Sequence, residues 1–239
     1  MNNNPHIALI GTAIADRSRS RMLCQLMNGR ALTNKELAIV AGITPQTASV
    51  HLRHLQNCGL ISTLKSGRCV YYKIANEMVA ELLERVACLS PTDHVRRHTK
   101  LSKDICSART CYNHIAGRLG VAIKERLVNM NVIQLFDDTA QVCGQGAMFL
   151  SDLGMHIGKG LRAKLCLDWT ARKYHLSGPL ATELLRHFMK QGWTQQCDHT
   201  RAIKQTNEGL LILECKFKIS PQDIFEHSDA PEDTWTKST

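Results

Sequence analysis

The stretch Leu32-Thr33-Asn34-Lys35-Glu36-Leu37-Ala38-Ile39-Val40-Ala41-Gly42-Ile43-Thr44-Pro45-Gln46-Thr47-Ala48-Ser49-Val50-His51-Leu52-Arg53-His54-Leu55 decides how the first third of this chain folds. Thr33 and Glu36 have the spacing of a capping box, in which hydroxyl and carboxylate each satisfy the other residue's backbone N–H. They open a short helix over Lys35 to Ala41 that ends at Gly42. Thr44 then serves as N-cap and Pro45 fills the first turn, where a missing N–H costs nothing. The second helix runs to about Cys58 and stops at Gly59, with Ala48, Leu52 and Leu55 spaced to face a core. Two short helices about a glycine turn make a helix-turn-helix.

Outward from this unit the pattern is equally regular. Upstream, His6 to Ala15 is an apolar-rich helix, and Arg19 to Gly29 carries Met22, Leu23, Leu26 and Met27 at helical spacing. Downstream, Leu60 to Leu64 and Cys69 to Ile74 alternate as strands about Lys65-Ser66-Gly67-Arg68, a hairpin with cations at its turn. Asn76 to Ala87 follows as a helix. A hairpin after a recognition helix is a wing, whose Lys65 and Arg68 can lie on phosphates. Short polar side chains near a helix N-terminus suit base edges, so Gln46, Thr47, Ser49, His51 and Arg53 are the candidate readers, with Thr44 placed for a phosphate.

Charge supports a polyanionic partner. In residues 1–75, nine Lys and Arg stand against Asp16 and Glu36, a net +7, and the rest of the chain supplies +2 of the total +9. A basic module beside a near-neutral one fits double-stranded DNA. No apolar run is long enough to span a membrane, and the first residues lack the pattern of a signal peptide, which sets the expectation of a cytoplasmic protein without a membrane partner. Ten cysteines occur with no C-x-x-C pair, so a disulfide framework is not expected and each thiol is weighed singly. No phosphate-binding glycine loop or nucleophile elbow is present, and no enzyme is expected.

The order of elements over residues 6–90 resembles the ArsR/SmtB family of bacterial winged-helix repressors. The resemblance is carried by Arg19-Ser20-Arg21-Met22-Leu23, Leu32 to Ala38, Thr47-Ala48-Ser49-Val50-His51-Leu52, Gly59-Leu60-Ile61 and Gly67-Arg68-Cys69-Val70-Tyr71-Tyr72. It implies a homodimer, paired through the first and last helices of the module, that represses from a palindromic operator until an inducer releases it. The resemblance implies that metal-sensing members place a Cys-x-Cys pair in the helix before the recognition helix and carboxylate and His ligands along the last helix. Here Lys35 to Val40 has no thiol and Asn76 to Ala87 no histidine. Cys24 and Cys88 resemble in position the dithiol pair of the family's redox-sensing branch; the alternative is two small buried hydrophobes.

Beyond a linker at 91–104, the chain repeats a pattern. Cys111-Tyr112-Asn113-His114-Ile115-Ala116-Gly117 is echoed by Cys166-Leu167-Asp168-Trp169 and His175-Leu176-Ser177-Gly178. Each copy continues into a helix (Val121 to Met130; Thr182 to Gln191) and closes on a Gly-containing turn and apolar run, Gly144 to Leu150 and Asn207 to Leu213. These signatures resemble those of a longer subset of ArsR-like regulators with an appended C-terminal domain, a resemblance that brings no ligand with it. Cys111 and His114, taken at i, i+3 on a helix face, form a candidate metal site with Cys166, Asp168 and His175, for a soft or borderline ion such as zinc. The competing readings are a structural role and a small-molecule pocket lined by Tyr112, Trp169, Tyr174 and Trp193.

The expected architecture is therefore mainly α with small β-hairpin wings, an α+β chain. Residues 5–90 form a winged helix-turn-helix for DNA binding and dimerisation, 105–225 a helical sensor domain built from a two-copy internal repeat, and 226–239 a disordered tail. The expected function is a DNA-binding regulator released by a metal, a thiol-reactive species or a small molecule. The rival is a metal- or ligand-binding assembly module whose winged helix makes protein contacts.

Overall fold

A computed structural model describes residues 7–89, 103–155, 161–198 and 200–225. The N-terminal module runs α1 (Ile7–Ala15), α2 (Arg17–Leu26), β1 (Leu32–Thr33), α3 (Asn34–Ala41), α4 (Pro45–Asn57), β2 (Ile61–Ser66), β3 (Cys69–Ile74) and α5 (Glu77–Leu89). Both caps read from the sequence form: the Thr33 and Glu36 capping box opens α3, and the Thr44 hydroxyl accepts from the Thr47 N–H at the start of α4. Gly42 turns the chain between the helices at φ 70°, a left-handed conformation that a side chain would strain. Met22, Leu26, Leu37, Leu52, Leu55 and Ile74 meet in a fully buried core.

One strand was not expected. Leu32 and Thr33 pair antiparallel with Tyr72 and Tyr71, making the wing a three-stranded sheet in the order β1-β3-β2. Thr33 thus works twice, as strand end and as helix cap.

The C-terminal half holds more strand than the expected helical domain. After a short helix, Lys103–Ser107, the described elements run in one order twice: hairpin, helix, hairpin, helix. The first run is β4 (Arg109–Cys111), β5 (His114–Ala116), helix Gly117–Asn129, β6 (Ile133–Phe136), β7 (Thr139–Val142) and helix Gly144–Asp152. The second is β8 (Arg162–Leu167), β9 (Tyr174–Ser177), helix Gly178–Lys190, β10 (Thr194–Gln196), β11 (Ile203–Gln205) and helix Asn207–Phe217, with a last turn at Pro221–Phe225. β7 pairs with β8, so β6-β7-β8-β9 is a continuous antiparallel sheet joining the two runs. One core, including Leu119, Leu127, Leu150, Leu180, Phe188, Leu213 and Phe217, fills both.

Two expectations are corrected. Cys111 and His114 do not share a helix face; they are directly opposed across the β4–β5 hairpin, turned by Tyr112 at φ 56°. The segments at Gly144 and Asn207 are helices and not turns, and Gly146 and Gly209 serve close packing within them: a Cβ at either would fall inside contact with the Val132 or Trp193 carbonyl oxygen. Of the expected linker, Lys103 and Asp104 belong to a helix and the rest lies outside the described residues, as does the tail at 226–239.

Gly209→Ala should therefore destabilise the chain by about 1–3 kcal/mol through overpacking. Gly144→Ala, whose added Cβ meets open space, should leave the urea midpoint unchanged or slightly raised. Equal midpoints for the two variants would contradict the close approach at Gly209.

Candidate DNA interface and metal centre

On α4 the buried positions Ala48, Leu52 and Leu55 define one face, and the helical period sets the opposite face at Gln46, Val50, Arg53 and Asn57. Gln46, Thr47 and Arg53 are exposed as expected, and Lys65 and Arg68 project from the wing. Thr44 is exposed and holds the helix N-terminus, where unpaired N–H groups and the helix dipole favour an anion. The sequence reading missed Val50, 63% exposed, because it sought polar side chains. Its spacing from Gln46 and Arg53 was the available signal, and an apolar side chain there can meet a thymine methyl.

Ser49 and His51 are placed differently. Ser49 accepts from the Asn34 side chain at 2.7 Å and donates to the Pro45 carbonyl, linking α3 to α4. His51 Nδ1 lies 3.2 Å from Arg19 and 3.8 Å from Asp16 at the α2 N-terminus. Both are half-buried, and these contacts orient the helix from its flanks.

The second site lies in the C-terminal half. Register opposes Cys111 to His114 on β4–β5 and Cys166 to His175 on β8–β9. Packing of these hairpins brings Cys111 Sγ to 4.0 Å from Cys166 Sγ, and the donor atoms of Cys111, Cys166 and His175 all lie within 4.8 Å of one another. The Cys111–Cys166 hydrogen bond holds the Cys166 thiol below its ordinary range, and the same bond together with burial holds Cys111 above its own. His175 is fully buried and has no hydrogen bond of ordinary geometry: Asp168 Oδ2 stands 3.7 Å from Nδ1, and the ring lies beside the Cys166 thiol, which it helps to hold low. A buried polar ring with only such weak partners is costly, since an unpaired group costs about 1–3 kcal/mol.

Asp168 and His114, expected as ligands, are engaged elsewhere. Asp168 Oδ2 accepts from Arg109 at 3.0 Å and from the Gly117 N–H at 2.7 Å, while Oδ1 accepts from the Thr170 hydroxyl and the Thr170 and Ala171 N–H groups. Burial alone would raise its pKa, but Arg109, His175 and these donors outweigh it and hold the carboxyl below the usual range. Its Oδ2 stands 3.7 Å from His175 Nδ1, beyond hydrogen-bond length. His114 Nε2 accepts from the Gly178 N–H at 3.1 Å, and burial, with the His175 ring beside it, lowers its pKa to about 3.

The aromatic pocket does not assemble. Trp193 packs edge-on to Phe188, Trp169 lies over the Arg109 guanidinium, Tyr112 joins the N-terminal core, and Tyr174 is half-exposed. Cys24 and Cys88 are not in contact either. Cys88 Sγ donates to the Leu167 carbonyl at 3.3 Å, and burial pushes its thiol up to about 11, away from the reactive thiolate form. Cys24 lies on the exposed side of α2.

Both sulfurs of the cluster sit one residue from the DNA-binding module. Next to Cys111, the Tyr112 N–H donates to the Met27 carbonyl at 2.9 Å, and Gly29 packs against the Tyr112 carbonyl. Next to Cys166, Leu167 accepts from Cys88 at the end of α5. Arg201 adds a 2.7 Å ion pair to Glu84 of α5, which is 2% exposed.

Comparison with known proteins matches residues 16–63 to the family described as "Bacterial regulatory protein, arsR family". The chain is 38% identical over 218 residues to YdfF of Bacillus subtilis (strain 168), an HTH-type transcriptional regulator, covering 88% of this chain and 96% of that one. It is 33% identical over 78 residues to a probable mercury resistance operon repressor of Streptomyces lividans, covering 33% of this chain and 62% of that one. The homodimeric winged helix-turn-helix DNA-binding domain of Mb0332 from Mycobacterium bovis superposes at a TM-score of 0.34 with 26% identity, over 43% of this chain and 99% of that domain.

Two outcomes follow from the geometry. Arg53→Ala should weaken duplex binding and reduce the slope of log affinity against log salt by about 1 if Arg53 meets a phosphate, or relax base preference by about 1–3 kcal/mol if it meets a base. Unchanged affinity and selectivity in binding titrations would remove Arg53 from the interface. Because His114 resists protonation only when folded, the unfolded chain binds the extra proton first as pH drops, and stability should fall between about pH 6.5 and 3. His114→Gln, which keeps an acceptor for Gly178, should flatten that part of the urea stability profile; an unaltered profile would contradict the assignment.

Proposed function

The chain belongs to the ArsR family of bacterial transcriptional regulators, DNA-binding proteins and not enzymes, and from that premise we propose a homodimeric repressor released from its operator by a thiophilic metal ion. Residues 5–90 read DNA and dimerise, 91–104 link, and 105–225 sense. The ion is soft or borderline, such as zinc, and its ligands are Cys111, Cys166 and His175. The observation that carries this reading is the buried cluster itself: the donor atoms of Cys111, Cys166 and His175 lie within 4.8 Å of one another, and the His175 ring makes no hydrogen bond of ordinary geometry. Two thiolates and an imidazole suit zinc, cadmium, mercury or copper(I). Family members matching about a third of this chain are named for mercury resistance and cadmium resistance.

Gln46, Thr47, Val50 and Arg53 face base edges, Lys65 and Arg68 face phosphates, and Thr44 presents the α4 N-terminus to the backbone. Ser49 and His51 steady the helix from its flanks. Exposed apolar side chains on α1 (Ile7, Leu9) and α5 (Met78, Leu82, Val86, Leu89) supply the surface a second copy would cover. No helix among the described residues is long and apolar enough to cross a membrane.

The sulfurs already stand close to the spacing that two ligands of one tetrahedral ion need, so binding replaces a soft thiol contact by two metal–sulfur bonds and locks β4 against β8. Tyr112 grips the end of α2 and Leu167 the end of α5, so this stiffening reaches the helices that set the spacing of the paired recognition helices. A signal of this kind changes affinity by about 5–150-fold in typical coupled systems.

Purified without a chelating tag, the full chain should bind about one Zn²⁺ or Hg²⁺ per protomer, with operator affinity reduced within that range. Cys166→Ser and His175→Asn should bind the operator as the parent does but lose the response. A metal-blind parent, or variants that respond as fully as the parent, would contradict the proposal.

A further inference from the structure

We propose that Cys111 and Cys166 are also a reversible oxidation site, closing into a disulfide when a hydroperoxide reaches them. Three observations carry it. Their sulfurs are 4.0 Å apart, and no other two sulfurs among the ten cysteines are in contact among the described residues. They lie on strands of different sheets, β4 and β8, so closure to the roughly 2.0 Å of a disulfide needs a shift of hairpins and no unfolding of either. Cys166 is half-buried while Cys111 is 3% exposed, which sets an order: the oxidant meets Cys166, and Cys111 waits behind it.

The chemistry balances with the hydroperoxide as the only added reagent. The Cys166 sulfur attacks the terminal peroxide oxygen, the O–O bond breaks, a sulfenic acid forms, and the alcohol (or water) leaves. The Cys111 sulfur then attacks the Cys166 sulfur, the S–S bond forms, and hydroxide leaves with the Cys111 proton as water. Two thiols are oxidised by two electrons and one peroxide is reduced. A dithiol reductant reverses the change by exchange. The disulfide consumes both sulfur donors, so oxidation and metal binding exclude one another. That exclusion rests on the metal reading above; the disulfide itself does not.

The test uses the metal-free full chain. It is treated with one equivalent of hydrogen peroxide, alkylated with N-ethylmaleimide in denaturant so that buried thiols react, and mapped by mass spectrometry. The proposal expects alkylatable thiols to fall from ten to eight, with the Cys111 and Cys166 peptides joined and two hydrogens lost, dithiothreitol restoring both, and prior Zn²⁺ slowing the reaction. Cys111→Ser should stop at a sulfenic acid on Cys166 that dimedone labels. Oxidation confined to the exposed Cys24, Cys69 and Cys215, or Cys166 carried to sulfinic acid while Cys111 remains alkylatable, would overturn it. If the disulfide forms but Zn²⁺ neither binds nor protects, the oxidation site stands and the metal reading falls.

Discussion

The buried carboxylate of Asp168 is the point on which the C-terminal half is organised. It is fully inaccessible and takes five hydrogen bonds, from Arg109, the start of the helix Gly117–Asn129, and the loop at Thr170 and Ala171. A buried charge is tolerable only when paired and fully hydrogen-bonded, and breaking such a pair typically costs about 3–5 kcal/mol. Through these bonds one side chain fixes β4, the next helix and the β8–β9 connection in mutual register. Cys111 and Cys166 lie within two residues of Arg109 and Asp168, so the same ion pair holds the sulfurs face to face. Asp168 is thus the support of the cluster and not a member of it.

The cluster is also placed to be felt. Ties that cross to the DNA-binding module include Tyr112 to Met27, Gln196 to Asn28, Cys88 to Leu167, Arg172 to the Cys88 carbonyl, Lys164 to Glu81, and Arg201 to the buried Glu84. They engage the end of α2 and the length of α5. On the proposed reading the metal donors lie in the C-terminal half, and these ties are what would carry their signal to the winged helix.

How much of this was legible depended on the range of the interaction. The winged helix was readable because its signals are local: the Thr33 and Glu36 box, Thr44-Pro45, the Ala48, Leu52, Leu55 stripe and the Gly67 turn each act within a few residues. Strand β1 was hidden because two residues cannot show alternation. The C-terminal hairpins were hidden for a similar reason. Cys111 and His114 at a separation of three fit a helix face as well as a two-residue turn, and only the positive φ at Tyr112 decides. Gly146 and Gly209 read as turn formers, although what requires glycine there is a carbonyl oxygen from another segment. Asp168 looked like a ligand because its partner Arg109 is 59 residues away. The residue types at the site were visible in the sequence; which of them remained free to bind was not.

The central claim is that Cys111, Cys166 and His175 surround one ion, and X-ray absorption on the zinc-loaded full chain tests it most directly. The account predicts a first shell with two sulfurs at about 2.3 Å and nitrogen at about 2.0–2.1 Å, with one sulfur lost in Cys166→Ser. A shell of nitrogen and oxygen alone, or one that Cys166→Ser leaves unchanged, would contradict it.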